Sequence, residues 1–195
     1  MKHTTKYNLV YLILIMVVFG GALGYGVYYR RPFIPIFAIV VIFLFPNVIQ
    51  GFFWHEFFLG RHLIRQGRWD EAILHLEKFL GQLEKSPWLK FLILLRWASY
   101  TNQVEAMAQS NLGVARVNTG ELDRAEQSFN RALELDSGYA IPYFNLALIE
   151  LLRSNESKAE ELWETSQALG YRKAPFDKVK ALSQRLKKQG HKKQS

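Results

Sequence analysis

The sequence predicts an all-α protein with a two-helix transmembrane hairpin followed by a short α-solenoid of about three helix pairs and a capping helix. Three observations support this prediction. Residues 1–55 contain no acidic side chain, the remainder is rich in charge, and residues 106–139 align with residues 140–173 at an offset of 34. A lipid-facing segment followed by a water-facing helical repeat has this pattern.

The net charge of +8 is distributed unevenly along the chain. Residues 1–55 carry 4 basic and no acidic side chains, residues 56–171 carry 12 basic and 16 acidic ones, and residues 172–195 carry 9 basic and 1 acidic. Because the predicted folded middle is acidic, we expect no nucleic-acid partner despite the basic total. The chain has no cysteine, which excludes disulfides and thiolate metal sites.

Two uncharged apolar segments predict the transmembrane hairpin, which covers residues 1–54. The spans are residues 8–29 and 33–54, and about 20 apolar residues suffice to cross a hydrocarbon core as a helix. Gly20 and Gly24 lie four residues apart in the first span. Small residues at this spacing let membrane helices pack closely, so we expect a helix-packing role for both.

Basic residues predict the orientation of the hairpin. Two lysines precede the first span and three arginines follow the second, whereas the loop between the spans has two arginines. The positive-inside rule then predicts an integral membrane protein, embedded in lipid, with both termini and the repeats in the cytosol. We expect a bacterial inner membrane. The alternative is a cleavable signal peptide ending near Gly24, which the apolar run up to Tyr29 disfavours.

Beyond the apolar segment the chain repeats itself. At the offset of 34, residues 111–113 (NLG) align with residues 145–147 (NLA), and Phe129 aligns with Trp163. Self-similarity at a fixed offset is typical of repeat proteins, so the sequence predicts two consecutive helical units of the same design.

These residues resemble the tetratricopeptide repeat family, whose unit is a 34-residue pair of antiparallel helices. The resemblance implies a repeat region over residues 55–173, with units at 53–86, 106–139 and 140–173. In the first unit the family's two small positions, its turn glycine and its large residue fall on Gly60, Ala72, Gly67 and Leu76. No unit has the family's usual late proline.

The first two units are separated by an insert at residues 87–105. Its segment 88–98 is apolar nearly all round, except for Lys90 and Arg96, and it is too short to span a membrane. One interpretation is a buried helix or an extension of the next repeat helix. The other is a surface helix against the bilayer or a partner. Asn102, with Glu105 three residues later, predicts a helix start.

The C-terminal residues predict a cap and a tail. Phe176, Val179, Leu182 and Leu186 share one helical face, so residues 174–188 are predicted to form a capping helix over the end of the solenoid. Residues 189–195 are predicted to be a basic, disordered tail.

The resemblance also implies a partner-binding groove lined by the first helix of each unit. Asn111 and Asn145 occupy the same position in two units, where family members that bind extended peptides use asparagine to hold the peptide backbone. A carboxamide suits this role because it both donates and accepts hydrogen bonds. The implied groove residues are Arg61, Arg65, Ser110, Asn111, Val114, Asn118, Phe144, Asn145 and Leu148. The lysines with which some members hold a C-terminal carboxylate are absent.

Two functions from different classes follow. The first is a membrane-anchored protein–protein interaction scaffold, whose cytosolic groove recruits a membrane-associated protein or peptide. The second is a structural or assembly subunit of a larger membrane complex, bound through the hairpin and the 88–98 helix. An enzyme is not expected, because no catalytic constellation, cofactor motif or metal-ligand pattern is present; His55 and His62 are seven residues apart without a second carboxylate to complete a site.

Overall fold

The computed structural model describes residues 50–95, 101, 103–172 and 174–194, with isolated positions 17, 20, 21, 24 and 28. These residues are helical wherever they form regular structure. The elements in chain order are α1 (His55–Gln66), α2 (Trp69–Lys85), a 3₁₀-helix (Pro87–Leu95), α3 (Val104–Thr119), α4 (Leu122–Leu135), α5 (Ala140–Leu152), α6 (Glu156–Ala168) and α7 (Phe176–Gln194).

The predicted location in a membrane is contradicted. Among the residues that the structure describes, no helix combines the length and the apolar character that crossing a membrane requires. The predicted spans, 8–29 and 33–54, lie outside the described residues apart from the isolated positions and residues 50–54. Gly20 and Gly24 are two of the isolated described positions, and the segment that was expected to pack against them lies outside the described residues, so the helix-packing role stays a prediction.

Three helix pairs form because a residue with positive φ ends the first helix of each. Gly67 (φ 73°) ends α1, and its N–H donates to the Ile64 carbonyl at 3.1 Å. Gly120 (φ 91°) ends α3 in the same way. Ser154 (φ 67°) follows α5, where a side chain has to occupy the left-handed region that glycine tolerates best. The chain reverses at each of these points, so α1 packs on α2, α3 on α4 and α5 on α6.

Small residues let the helices of each pair approach closely. A Cβ atom on Gly60 would lie 2.7 Å from Leu76 Cγ, and one on Gly113 would lie 2.6 Å from the Phe129 ring. The third pair uses Ala147, which is fully buried.

The pairs stack into a solenoid. Helix α2 packs on α3 and α4 packs on α5, while the first helices α1, α3 and α5, here called the inner helices, also contact their neighbours. Helices α2, α4 and α6 are called the outer helices. One core cluster joins the first pair to α3, around Trp54, Phe57 and Phe79. A second runs from α3 to α7, around Phe129, Ile149 and Val179.

Within the insert, residues Pro87–Leu95 form a 3₁₀-helix, and the last three residues of the predicted 88–98 helix lie outside the described residues. Leu89 and Ile93 are buried, whereas Trp88 is 50% and Phe91 70% exposed. The segment thus combines the buried and the surface interpretations. The Trp54 Nε1–H donates to the Leu89 carbonyl at 3.2 Å, and this bond joins the residue before α1 to the insert.

Helix α3 begins close to the predicted start, at Val104, after Gln103. The Gln103 N–H donates to Thr101 Oγ1 at 3.0 Å, so a threonine supports this helix start. Asn102, which was predicted to begin the helix, lies outside the described residues.

Helix α7 packs on α5 and covers the end of the solenoid. Its covered stripe contains Phe176, Val179, Ser183 and Leu186, whereas Leu182 is exposed. The predicted face included Leu182 because spacings of three and four residues both fit a helical stripe. The helix continues to Gln194, past the start of the expected disordered tail, and its lysines and glutamines have good helix propensity.

Candidate partner-binding groove

The inner helices bring most of the predicted groove residues to neighbouring places. Arg61 and Arg65 lie on α1, Asn111, Val114 and Asn118 lie on α3, and Asn145 lies on α5. All six are at least partly exposed. Because α1 contacts α3 and α3 contacts α5, these side chains are predicted to share one surface across the three helices, here called the groove.

Asn111 and Asn145 have the same local geometry. The Asn111 Nδ2–H donates to the Met107 carbonyl at 2.9 Å, and the Asn145 Nδ2–H donates to the Ile141 carbonyl at 3.1 Å. Each bond reaches back four residues on its own helix and fixes the direction of the amide. Within the described part of the chain, neither amide oxygen accepts a hydrogen bond. Each carboxamide therefore retains an acceptor and a second N–H for a ligand.

Asn118, the next-to-last residue of α3, repeats this arrangement. Its Nδ2–H donates to the Val114 carbonyl at 2.8 Å. Three partly exposed carboxamides on two adjacent helices thus each offer an amide oxygen and an N–H to a ligand. Such a surface suits an extended backbone, which alternates donors and acceptors along its length.

The α1 end of the groove is cationic. The Arg61 guanidinium lies 5.6 Å from the centroid of the buried Phe57 ring, a cation–π contact that holds the side chain against its helix. Neither Arg61 nor Arg65 forms an ion pair with any described residue. By contrast, Arg116 on α3 binds one acid of the preceding outer helix and Arg153, directly after α5, binds two, with N–O distances of 2.6 Å.

The acids of the inner helices all have cationic partners. Glu56 lies 2.6 Å from His75 Nδ1 and also binds Lys78. Burial alone would raise the pKa of Glu56, but the hydrogen bonds from His75 and Lys78 outweigh it and hold this pKa below the usual carboxyl value. The other two acids, Glu105 and Glu150, bind Lys90 with Arg131 and Lys158 with Arg153, respectively.

Three predicted groove residues are less accessible than the sequence suggests. Ser110 is 2% exposed and Leu148 is 5% exposed, so both belong to the packed interior beneath the groove. The Phe144 ring is half-buried, and its centroid lies 4.8 Å from that of Tyr171. Position in the repeat places a residue on the inner side of its helix, but α7 and the segment before it cover part of α5.

Sequence reasoning missed an exposed aromatic surface beside the first pair. The Phe53 ring lies 5.1 Å from Phe52 and 5.0 Å from Trp88, both edge to face, and Phe91 follows one turn of the 3₁₀-helix later. These four residues are here called the aromatic ridge. The signal in the sequence was the apolar character of 88–98, but which side chains turn outward depends on the 3₁₀ geometry. No group of His, Asp or Glu among the described residues is arranged to hold a metal ion.

Comparison with known proteins gives the same family that the sequence pattern suggested. Two family models, each described as tetratricopeptide repeat, match the chain, one over residues 57–87 and the other over residues 94–140 and 110–171. Together they cover more than half of the chain. No curated protein matches it.

Proposed function

Because the chain belongs to the tetratricopeptide repeat family, we propose that it is a protein-interaction scaffold whose groove binds an extended segment of another protein. The observation that supports this most directly is the matched pair Asn111 and Asn145. Both amides are oriented by their own helix, and both retain free hydrogen-bonding groups. A peptide laid across α3 and α5 can exchange backbone hydrogen bonds with both.

The dimensions of the groove fit this mode of binding. Packed helices lie about 8–10 Å apart, and an extended chain rises about 3.3 Å per residue, so one step between inner helices corresponds to about three residues. The two carboxamides would then bind backbone groups about three residues apart. Backbone recognition of this kind supplies affinity with little dependence on the partner's sequence.

The test is a pulldown with the whole tagged chain, comparing the wild type with the double variant Asn111→Ala/Asn145→Ala, with partners identified by mass spectrometry. Asn130→Ala is the matched control, because Asn130 is exposed on outer helix α4. We expect partners that the wild type and the control retain and the double variant loses. Circular dichroism checks that all variants keep the same fold. Equal retention by all three would contradict the groove as the binding site.

The aromatic ridge favours a second candidate, an assembly subunit that joins a larger complex through this surface. Phe52, Trp88 and Phe91 are largely exposed, and exposed aromatic side chains are enriched at interfaces. The variant Trp88→Ser/Phe91→Ser tests this function by blue-native electrophoresis. A smaller assembly for this variant, together with an unchanged assembly for Asn111→Ala/Asn145→Ala, would favour the second candidate.

A further inference from the structure

We propose that the segment bound in the groove carries acidic side chains at the end that lies over α1; this inference rests on the proposed scaffold function and adds the chemical class of its ligand. The two cations at that end, Arg61 and Arg65, lie one helical turn apart on α1. Side chains at this spacing are neighbours, so both guanidinium groups can reach the same short stretch of a ligand.

The first support is that these two arginines bind no carboxylate of the described residues, whereas the other described arginines of the three helix pairs do. Those arginines are Arg68, Arg116, Arg124, Arg131 and Arg153. Arg172 and Arg185 also bind no described carboxylate, but they lie beyond the third pair. Within the helix pairs, where acids outnumber bases, an arginine without an acid is the exception. Arg61 is also held by the Phe57 ring, so little side-chain entropy is lost when a carboxylate binds it.

The second support is the absence of competing acids nearby on the described part of the groove. The inner helices carry Glu56, Glu105 and Glu150, and each is largely buried and bound to at least one cation. The remaining acids of the described helices lie on the outer helices or α7. An acidic ligand therefore meets two free positive charges and no exposed negative charge on the inner helices.

The rest of the groove differs from its α1 end, which gives the ligand a direction. The middle presents the carboxamides and the half-buried Val114, and the α5 end presents Asn145 beside the half-buried Phe144 ring. Two steps between inner helices span about 20 Å, or about six residues of extended chain. We expect acidic residues at one end of the segment and an apolar residue about six positions away.

The carboxylates come from side chains, not from a chain terminus. Position 5 of the repeat, where a terminal carboxylate is held by lysine in some family members, has Phe57, Ser110 and Phe144 in this chain. Phe57 and Ser110 are buried, and none of the three carries a charge. An internal acidic stretch therefore fits the groove better than a free C-terminus does.

The experiment selects from a bead library of random ten-residue peptides, acetylated and amidated so that only side chains supply carboxylates. The whole chain is used as wild type and as Arg61→Glu/Arg65→Glu. Lys85→Glu/Lys178→Glu is the matched control, because both lysines are exposed, form no ion pair with described residues and lie outside the inner helices. We expect Asp and Glu to be enriched at one end of the peptides selected by the wild type and the control, and Lys and Arg to replace them with Arg61→Glu/Arg65→Glu.

A selection on Asn111→Ala/Asn145→Ala separates this inference from the function on which it rests. If that variant loses the peptides while Arg61→Glu/Arg65→Glu still selects acidic ones, the groove stands and the acidic preference is overturned. If the wild type selects no acidic enrichment, the preference is overturned as well. If the asparagine variant retains the wild-type peptides unchanged, the groove itself is rejected. Matching melting temperatures of all variants establish that folding is not the cause.

Discussion

The junction between the first and second helix pairs and the junction between the second and third share one contact and differ in the rest. In both, an arginine on or directly after the inner helix binds carboxylates of the preceding outer helix: Arg116 binds Glu77, and Arg153 binds Asp123 and Glu126. The apolar part differs. The first junction includes an aromatic cluster and the 3₁₀-helix, whereas the second is built on alanine, valine and leucine side chains around Tyr139 and Phe129.

The difference shows what a helical repeat requires and what it leaves free. The close crossing inside each pair needs a small residue, and every pair has one. Between pairs, either large rings or small aliphatic side chains suffice, because stacking only has to bury a continuous apolar surface. The insert can therefore lie in the first junction without breaking the solenoid, since Leu89 and Ile93 join the same core.

The largest expected effect is at the first junction. Trp54 is fully buried, its ring lies 6.0 to 6.3 Å from three phenylalanine rings, and its Nε1–H donates to Leu89. We expect Trp54→Ala to lower the free energy of unfolding by about 3–5 kcal/mol, because it leaves a cavity and removes the hydrogen bond to Leu89. Urea unfolding of the whole chain measures this. Trp88→Ala is the control, because Trp88 is half exposed, and its effect should be under about 1 kcal/mol.

The middle pair takes part in both junctions. Substituting Gly113 tests how closely the two helices of this pair are packed. A Cβ atom there would lie 2.6–2.9 Å from three carbons of the Phe129 ring. Gly113→Ala should therefore cost about 1–3 kcal/mol through overpacking, against the usual gain of alanine in a helix. Gly81→Ala on α2, where a Cβ atom meets nothing within 4 Å, should stabilise by about 0.5–1 kcal/mol. Equal effects at the two glycines in thermal unfolding would contradict the close crossing.

The sequence pattern was sufficient for the helix pairs and insufficient for their surroundings. Small residues at a 34-residue offset predicted the close crossings at Gly113 and Ala147, because packing of this kind admits only a small residue at these positions. The 3₁₀-helix was not predictable, since a segment that is apolar all round has no periodicity from which to choose a helix type. The membrane prediction depended on the length of two uncharged apolar runs and on the distribution of basic residues, and it is contradicted by the helices that the structure describes.

The candidate site divides in the same way. The positions of Asn111 and Asn145 followed from the repeat, because an equivalent place on an equivalent helix gives an equivalent side-chain direction. The burial of Ser110 and Leu148 did not follow from the sequence, since it depends on which elements pack over each inner helix. Whether Arg61 and Arg65 form ion pairs depends on how close the carboxylates of other helices lie. No local sequence pattern predicts those distances.

The first pair also has an ionic contact of its own, between Glu56 and His75 with Lys78. We expect Glu56→Gln to cost about 1–2 kcal/mol at pH 7, because hydrogen bonds to a charged group are lost. The pKa of Glu56 is lowered by folding, so its contribution is present above the usual carboxyl pKa of 4.5 and is lost as the pH falls through the folded pKa. Chemical unfolding at pH 7 and at pH 3 measures both stabilities.

Unfolding of the wild type and of Glu56→Gln at low pH provides a control for this prediction. The stability difference between wild type and Glu56→Gln should shrink on acidification, because the wild-type carboxyl then becomes neutral as well. Glu84→Gln changes an exposed carboxylate on the same pair that binds no described cation, so it should have little effect at either pH. A difference for Glu56→Gln that stays constant from pH 7 to pH 3 would contradict the ionic role.

The smallest expected effect concerns the arginine–carboxylate contact that is present at both junctions. The Arg153 side chain is 33% exposed, and its partners Asp123 and Glu126 lie near solvent. Arg153→Gln should therefore lower the free energy of unfolding by about 0.5–1 kcal/mol, and this difference should vanish in about 1 M NaCl. The Arg116 side chain is 15% exposed and also donates to Ser128 at 2.8 Å, so Arg116→Gln should cost more and keep part of its effect in salt. Urea unfolding with and without salt measures both. Equal salt dependence for the two variants would mean that Arg116 and Arg153 are packed equally deeply. The difference between the two junctions would then be confined to the aromatic cluster.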